Sequence, residues 1–146
     1  MVKIYCKDEE LKPTRGSKYS AGIDLRIDQD LVIHETSSLN PAMEAGTGVH
    51  VEIPEGFVGL VFIRSSLGKR GLMLTNSVGV IDSDYRGEIK LVLRCNQERI
   101  DLKKGERIAQ LVIVPYLLGS IDFVDSLEEL SETDRGEGGF GSTGIK

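Results

Sequence analysis

The chain has 146 residues, of which 40% are apolar, and a formal net charge of −5. That length is usual for one domain with a single buried core, so we expect one domain over residues 1–146. The negative charge argues against binding along a nucleic-acid backbone, which normally requires a basic surface. The best apolar stretch, residues 111–119, is too short to span a bilayer, and the first residues lack the apolar run of a signal peptide. We therefore expect a cytoplasmic protein with neither nucleic-acid nor membrane partners.

Short alternating strands are the main secondary-structure signal. Residues 49–53 and 89–95 alternate apolar and polar side chains, which predicts two half-buried strands. Turn-forming clusters recur about every 8 to 12 residues, as in all-β sandwiches and barrels. Only residues 66–71 and 125–130 suggest short helical turns. The sequence therefore predicts an all-β fold.

Near the N-terminus, Asp24 interrupts an apolar strand pattern in AGIDLRI, and near the C-terminus Gln110 interrupts one in RIAQLVIV. A solvated carboxylate would explain Asp24, and a core or edge amide with satisfied hydrogen bonds would explain Gln110. Gln110 requires a partner in any case, because a buried polar group needs one.

Residues 64–71, RSSLGKRG, combine hydroxyls, a glycine and three cations, which suits a polyphosphate. The segment is not a Walker A loop, because Arg70 follows Gly68 and Lys69 where that loop has Ser or Thr. A solvated basic turn is the simpler explanation for Lys69 and Arg70. It is less suitable for Arg64, which directly follows a predicted strand.

Residues 79–89, GVIDSDYRGEI, have the composition of a strand, a hairpin turn and a returning strand. Asp82 ends the first strand, where it is either a turn former or a functional carboxylate. Asp84 lies in the turn itself, where Asp is common for local hydrogen-bonding reasons. Tyr85 is either a cross-strand packing residue or part of a binding site.

The segment RGEGGFGSTG, residues 135–144, contains the G-x-G-x-x-G spacing, but no strand-turn-helix context can follow it so close to residue 146. Only Phe140 offers a sizeable apolar side chain, so the segment is expected to be mobile when alone. Its arginine, glycine amides and hydroxyls suit a highly charged ligand such as a triphosphate. A disordered terminus is the alternative.

Five segments occur in an order that resembles the motifs of the trimeric deoxyuridine triphosphate nucleotidohydrolases, the dUTPases. They cover the chain from end to end: residues 21–27, 64–71, 76–89, 105–115 and 135–144. The resemblance implies a distorted jelly-roll-like β-barrel or sandwich of the β-clip type that forms a homotrimer. It also implies a β core over residues 1–134 and a mobile glycine-rich flap over residues 135–146.

The activity implied by the resemblance is hydrolysis of dUTP to dUMP and pyrophosphate, by attack of water on the α-phosphorus. This activity limits uracil incorporation into DNA and supplies dUMP for thymidylate synthesis. Asp82 is then the general base, and Tyr85 lies against the deoxyribose. The cofactor is Mg²⁺, held mainly by the phosphates, with Asp24 near it through water. The other substrate-binding residues implied are Arg64, Ser65, Ser66, Asn76, Val80, Ile81, Lys90, Gln110, Arg135, Phe140, Gly141 and Ser142.

Two rival functions differ from this one in identifiable ways. The related dCTP deaminases share an RSS motif but lack the glycine-rich flap and the GVIDSDY pattern, both of which this chain has. A catalytically silent nucleotide-sensing or protein-interaction trimer would not require Asp82, Tyr85 and Phe140. The chain departs from the usual family pattern at Arg26, Ile27 and Ser66, which leaves Ser66 with the least defined role.

Overall fold

The structure, a computed structural model, describes residues 1–37, 39 and 41–139. The regular structure of this part consists of eleven strands, one short α-helix and two 3-10 turns, so the all-β prediction is confirmed. The strands are β1 (Lys3–Cys6), β2 (Thr14–Arg15), β3 (Ile23–Arg26), β4 (Leu31–His34), β5 (Met43–Glu52), β6 (Phe57–Ile63), β7 (Leu72–Leu74), β8 (Gly79–Ile81), β9 (Glu88–Cys95), β10 (Arg99–Leu102) and β11 (Arg107–Pro115). The helix α1 spans Ser65–Gly68, and the 3-10 turns span Glu9–Leu11 and Leu127–Glu129. In the described ranges no helix has the length and apolar character needed to cross a membrane.

The strands form three sheets of antiparallel neighbours. One sheet has the order β1-β5-β9-β7, a second pairs β10 with β4, and the third has the order β2-β3-β11-β6-β8. In the third sheet, β3 pairs with β11, β11 with β6, and β6 with β8. Asp24, Gln110 and Ile81 therefore belong to one sheet, although Asp24 and Gln110 are 86 residues apart in sequence.

The core lies where the inner faces of all three sheets meet. The alternation predicted for residues 49–53 and 89–95 is confirmed, because the apolar side of each strand is buried and the polar side is not. The buried side chains of these two stretches are Val49, Val51, Ile53, Ile89, Leu91, Leu93 and Cys95. Burial of such a continuous apolar surface is the main driving force for this arrangement.

The helix α1 is a single turn between β6 and β7. It is held by the buried side chain of Leu67 and by a hydrogen bond from the Arg64 amide to the Ile108 carbonyl. Gly71 ends the segment with a φ of +85°, a conformation that favours glycine. The predicted helical turn is thus present but begins one residue earlier, and it leaves Ser65 and Ser66 exposed.

Candidate active site

A buried carboxylate organises the first cluster of site residues. Asp24 in β3 is only 1% exposed. Its Oδ1 accepts a hydrogen bond from Gln110 Nε2 at 3.0 Å and lies 3.1 Å from Arg64 Nε. Its Oδ2 accepts a hydrogen bond from the Arg107 guanidinium at 3.0 Å. Asp24 is therefore not a solvated carboxylate, and the two guanidinium groups compensate a charge that is costly to bury alone.

Arg107 completes this Asp24 cluster (Asp24, Arg64, Arg107 and Gln110), although sequence reasoning did not select it. Arg107 and Gln110 are three positions apart, so in a regular strand they would point to opposite faces. The register of β11 against β3 shifts between Arg107 and Ala109, and this bulge turns both side chains toward Asp24. The only indication of this role in the sequence is that Arg107, like Gln110, is a polar residue beside the apolar positions in GERIAQ.

The absence of a side chain at Gly22 makes room for this arrangement. A Cβ atom at Gly22 would lie 3.1 Å from both Cβ and Cδ of Gln110, which is closer than most real contacts. Gln110 thus has the satisfied hydrogen bond that was one of the two expectations for it, and its amide nitrogen donates to the Asp24 carboxylate. Because Ser65 and Ser66 follow Arg64 on an exposed turn, the cluster joins a surface rich in hydrogen-bond donors. Such a surface suits phosphate oxygens.

A cavity of about 260 Å³ forms the second part of the site. It lies along β8, the following turn and the first residues of β9. The hairpin predicted for residues 79–89 is wrong, because the turn carries the chain into another sheet: β8 pairs with β6, whereas β9 pairs with β5 and β7. All six residues predicted there for the nucleoside and the attacking water line this cavity: Asn76, Val80, Ile81, Asp82, Tyr85 and Lys90. Gly79, Glu88 and Ile89 complete the lining, which sequence reasoning did not single out.

The turn from β8 to β9 fixes the position of the Tyr85 ring. The Tyr85 amide donates to the Asp82 carbonyl at 3.2 Å, and the Tyr85 hydroxyl donates to the Glu88 carbonyl at 2.9 Å. A Cβ atom at Gly87 would collide with the ring and hydroxyl of Tyr85. The glycine therefore allows the ring to fold over the turn, at the edge of the cavity.

The carboxylate of Asp82 lies at the same edge and is exposed. Within the part of the chain that the structure describes, this carboxylate takes part in no hydrogen bond or ion pair with another side chain. The group thus has its oxygens available to a ligand or a water molecule. Asp84 is exposed as well but does not line the cavity.

Lys90 lies beside the cavity, and its ammonium is bound elsewhere. Lys90 Nζ donates to Glu44 Oε1 of the neighbouring strand β5 at 2.8 Å. This hydrogen bond, with the charge of Glu44, raises the pKa of Lys90. The ammonium therefore stays protonated at neutral pH and is engaged on the sheet surface.

The two parts of the site are separated within one chain. Ile81 pairs with Gly59 of β6. Arg64 lies five residues after Gly59 in the chain, just beyond the end of β6. At roughly 3.3 Å per residue this places the Arg64 backbone about 16 Å from Ile81, with Asp82 on the far side of Ile81. The Asp24 cluster and the Asp82 carboxylate of one chain are thus too far apart to act at the same phosphate.

The described part of the C-terminal segment contains Arg135. Its side chain is exposed, and Arg135 Nε donates to the Gly138 carbonyl at 2.8 Å within a local turn. Phe140, Gly141 and Ser142 lie outside the described residues. The predictions for these three positions therefore have no structural counterpart here.

The donors around the site are compatible with Mg²⁺ that arrives with a nucleotide. No group of three or more His, Cys, Asp or Glu residues lies together among the residues described. A hard cation that keeps several waters and binds phosphate oxygens does not require such a group. Asp24 offers a carboxylate within this cluster, but three protein donors already occupy its oxygens.

Comparison with known proteins identifies the family of this chain. The sequence model of the dUTPase family matches residues 9–144. The deoxyuridine 5'-triphosphate nucleotidohydrolase of Escherichia phage T5 is 46% identical over 159 aligned residues, and the alignment covers 100% of both chains. The enzyme of the same name from Corynebacterium jeikeium is 45% identical over 99% of this chain and 93% of its own. This chain belongs to the dUTPase family.

Solved structures show the same fold. The dUTPase of Staphylococcus bacteriophage 80alpha, solved with dUPNHPP, superimposes with a TM-score of 0.82 at 29% identity and 99% coverage of both chains. Members of the dUTPase family depend on Mg²⁺ and are homotrimers. The resemblance seen in the sequence motifs is thus confirmed at the level of the family and the fold.

Proposed function

We propose that the protein hydrolyses dUTP to dUMP and pyrophosphate, which limits uracil incorporation into DNA and supplies dUMP for thymidylate synthesis. The observation that carries the proposal is the cavity along β8 and β9, which has an available carboxylate, Asp82, at its edge. Membership of the dUTPase family supports the same reaction.

In the proposed mechanism Asp82 orients a water molecule and takes its proton as the water attacks the α-phosphorus. The new bond joins the water oxygen to the α-phosphorus, and the bond from that phosphorus to the α,β-bridging oxygen breaks. Pyrophosphate leaves, and the water oxygen remains on dUMP. General-base assistance of this kind is typically worth about 10² to 10⁴ in rate.

The cavity is proposed to select the base and the sugar. Asn76, Val80, Ile81 and Lys90 would surround uracil, largely with main-chain groups. Main chain held in a sheet is rigid, so thymine's extra methyl would clash and cytosine would present the wrong donor pattern. Tyr85, fixed by its hydroxyl bond to Glu88, would leave no space for a ribose 2′-hydroxyl.

The phosphates are proposed to bind Arg64, Ser65, Ser66 and Gln110. Bound Mg²⁺ would offset phosphate charge, with its ligands drawn from the phosphates and water and with Asp24 as a water-mediated neighbour. The Asp24 cluster would keep Arg64 and Gln110 in place before the substrate arrives.

A homotrimer is proposed to bring the two parts of the site together, each from a different chain. The separation of about 16 Å along β6 supports this arrangement, because one substrate cannot bridge it at the scissile bond. The segment after β11 supports it as well. Leu117, Ile121 and Phe123 there are 91%, 78% and 87% exposed in the isolated chain, and such a surface marks a protein interface.

Residues 1–134 are proposed to form one β core and residues 135–146 a flap. Arg135, Phe140, Gly141 and Ser142 of the flap would close over the bound nucleotide. A cytoplasmic location is proposed, since this is a reducing compartment and both cysteines, Cys6 and Cys95, are free thiols.

The proposed reaction is tested with a panel of nucleoside triphosphates, with and without Mg²⁺. We expect pyrophosphate release from dUTP that requires Mg²⁺, and little release from dCTP, dTTP and UTP. Ammonia release from dCTP would indicate a deaminase instead. Binding of dUTP without turnover would indicate a silent sensor.

The proposed assembly is tested by mixing two inactive variants, Asp82→Asn and Arg64→Met, and reassembling them. If each site draws Asp82 and Arg64 from different chains, mixed trimers contain some sites with neither substitution, and activity returns. If both residues act within one chain, the mixture stays as inactive as its components.

A further inference from the structure

The strand β5 contains a bulge directly opposite the beginning of β9. Gly46 pairs with Lys90 and His50 pairs with Glu88, so residues 47–49 lie opposite Ile89 alone. Gly48 has a φ of +67°, in the left-handed region that favours glycine. The regular ladder of main-chain hydrogen bonds is therefore interrupted at the residues of β9 that line the nucleoside cavity.

Two side chains replace the missing ladder. Thr47 is completely buried, and its hydroxyl donates to the Ile89 carbonyl at 2.6 Å and accepts from the Val49 amide at 3.2 Å. Glu88 Oε1 accepts from the Gly48 amide at 2.6 Å. The beginning of β9 is thus tied to β5 by side-chain bonds that single substitutions can remove.

The same stretch of main chain holds Tyr85. The Glu88 carbonyl accepts the Tyr85 hydroxyl on one side of the turn, and the neighbouring Ile89 carbonyl accepts the Thr47 hydroxyl from the core. A shift of the peptide between Glu88 and Ile89 would therefore move the cavity wall and the ring at its edge together.

We propose that Thr47 and Glu88 are positioning residues that determine base selectivity by fixing the main chain of residues 88–90. The inference rests on the proposed function, in which this main chain forms part of the uracil pocket. A pocket wall made of main chain rejects thymine only if it cannot retreat, since a site with room for one extra methyl group discriminates poorly. Loss of either bond allows the wall to move while Asp82 keeps its own position at the end of β8.

The test replaces Thr47 by Val, which has the same shape but no hydroxyl. We expect Thr47→Val to raise KM for dUTP about tenfold and to lower the preference for dUTP over dTTP by a similar factor, with kcat changed about twofold at most. Thr47→Ser keeps the hydroxyl and is expected to restore KM and preference. Thr36→Val is the matched control, because the Thr36 hydroxyl also bonds β9 main chain, accepting from the Cys95 amide at 3.2 Å at the far end of the strand.

A merely structural role for Thr47 would lower the thermal stability of the Thr47 and Thr36 variants alike and leave KM and base preference unchanged. That result would overturn the inference. If Thr47→Val does not fold, Glu88→Met serves in its place, because it removes the acceptor of the Gly48 amide from a half-buried position. Inactivity of the wild-type protein on dUTP would overturn the proposed function, whereas an active wild type with unchanged variants would overturn this inference alone.

Discussion

Asp24 and Arg107 are 83 residues apart in sequence and form an ion pair of 3.0 Å between a buried carboxylate and a partly exposed guanidinium. The same carboxylate contacts Arg64 and Gln110, so one side chain joins β3, β11 and the residue after β6. Arg107 thereby shares the Asp24 carboxylate with Arg64 and Gln110, the two residues of the cluster that are proposed to bind phosphate. The water-mediated contact of Asp24 with Mg²⁺ stays a prediction.

Replacing Arg107 by Met should leave the buried Asp24 with fewer charged donors. We expect the free energy of unfolding to fall by about 1.5 to 3 kcal/mol, the usual contribution of a hydrogen bond to a charged group. KM for dUTP should rise, because the Asp24 carboxylate that holds Arg64 and Gln110 is itself held less firmly without Arg107. Urea unfolding and steady-state kinetics measure the two effects.

Arg99→Met is the control for this variant. Arg99 pairs with Asp101 on the surface, where both side chains are at least half exposed, and exposed pairs contribute little. Equal effects of the Arg107 and Arg99 substitutions would show that the Asp24 cluster has no special role.

Replacing Tyr85 by Ala should open the space that the ring occupies beside the sugar. The preference for dUTP over UTP is expected to fall by at least roughly tenfold, because an apolar wall that tolerates a hydroxyl discriminates only about 10²-fold. Kinetics on both triphosphates give the ratio. Tyr5→Ala, at an exposed ring on β1 outside the cavity, should leave the ratio as it is in the wild type; an unchanged ratio in the Tyr85 variant would remove this residue from sugar selection.

The secondary structure was largely predictable because its signals are local. The alternation in residues 49–53 and 89–95 reflects one buried face, and each strand in the structure buries that face. The bulges in β5 and β11 were not predictable, since a register shift depends on the partner strand and not on local composition. Arg107 and Thr47 were missed for this reason.

The site residues also differed in how well the local sequence predicts their surroundings. Asp82, Tyr85 and Lys90 lie within nine consecutive residues, on the connection from β8 to the beginning of β9, so their common cavity follows from local structure. The burial of Asp24 depends on partners 40 to 86 residues away, and no local pattern distinguishes it from a solvated carboxylate. The separation of the two parts of the site required the register of β6 with β8.

Removing residues 135–146 should spare assembly and abolish efficient turnover. The deleted segment contributes no buried apolar side chain in its described part, so the core and the trimer are expected to persist. Sedimentation would report the trimer, and pyrophosphate release would report the loss of activity. A truncated protein with wild-type turnover would contradict the proposed flap.

Acid should weaken the attachment of the turn between β10 and β11. Asp30 accepts hydrogen bonds from the Lys104 amide and the Lys103 ammonium, and these bonds lower the pKa of Asp30. Because the pKa is lower in the folded state, the stabilisation is present above about pH 4 and is lost as the pH falls through the folded-state pKa. Asp30→Asn should therefore melt slightly below wild type at pH 7, and the difference should narrow in acid.

Thermal melts between neutral and strongly acid pH test this dependence. Asp122→Asn is the control, since Asp122 is exposed and its carboxylate accepts no hydrogen bond within the described ranges. A difference between Asp30→Asn and wild type that stays constant with pH would contradict the assignment.

Asp82 is proposed to activate the water that hydrolyses dUTP. The most direct test compares wild type with Asp82→Asn, measuring pyrophosphate release and, separately, the affinity for the non-hydrolysable analogue dUPNHPP. We expect the turnover of Asp82→Asn to be at least about 10² lower with a nearly unchanged affinity, because only the proton acceptor is lost. Turnover equal to that of the wild type would contradict it.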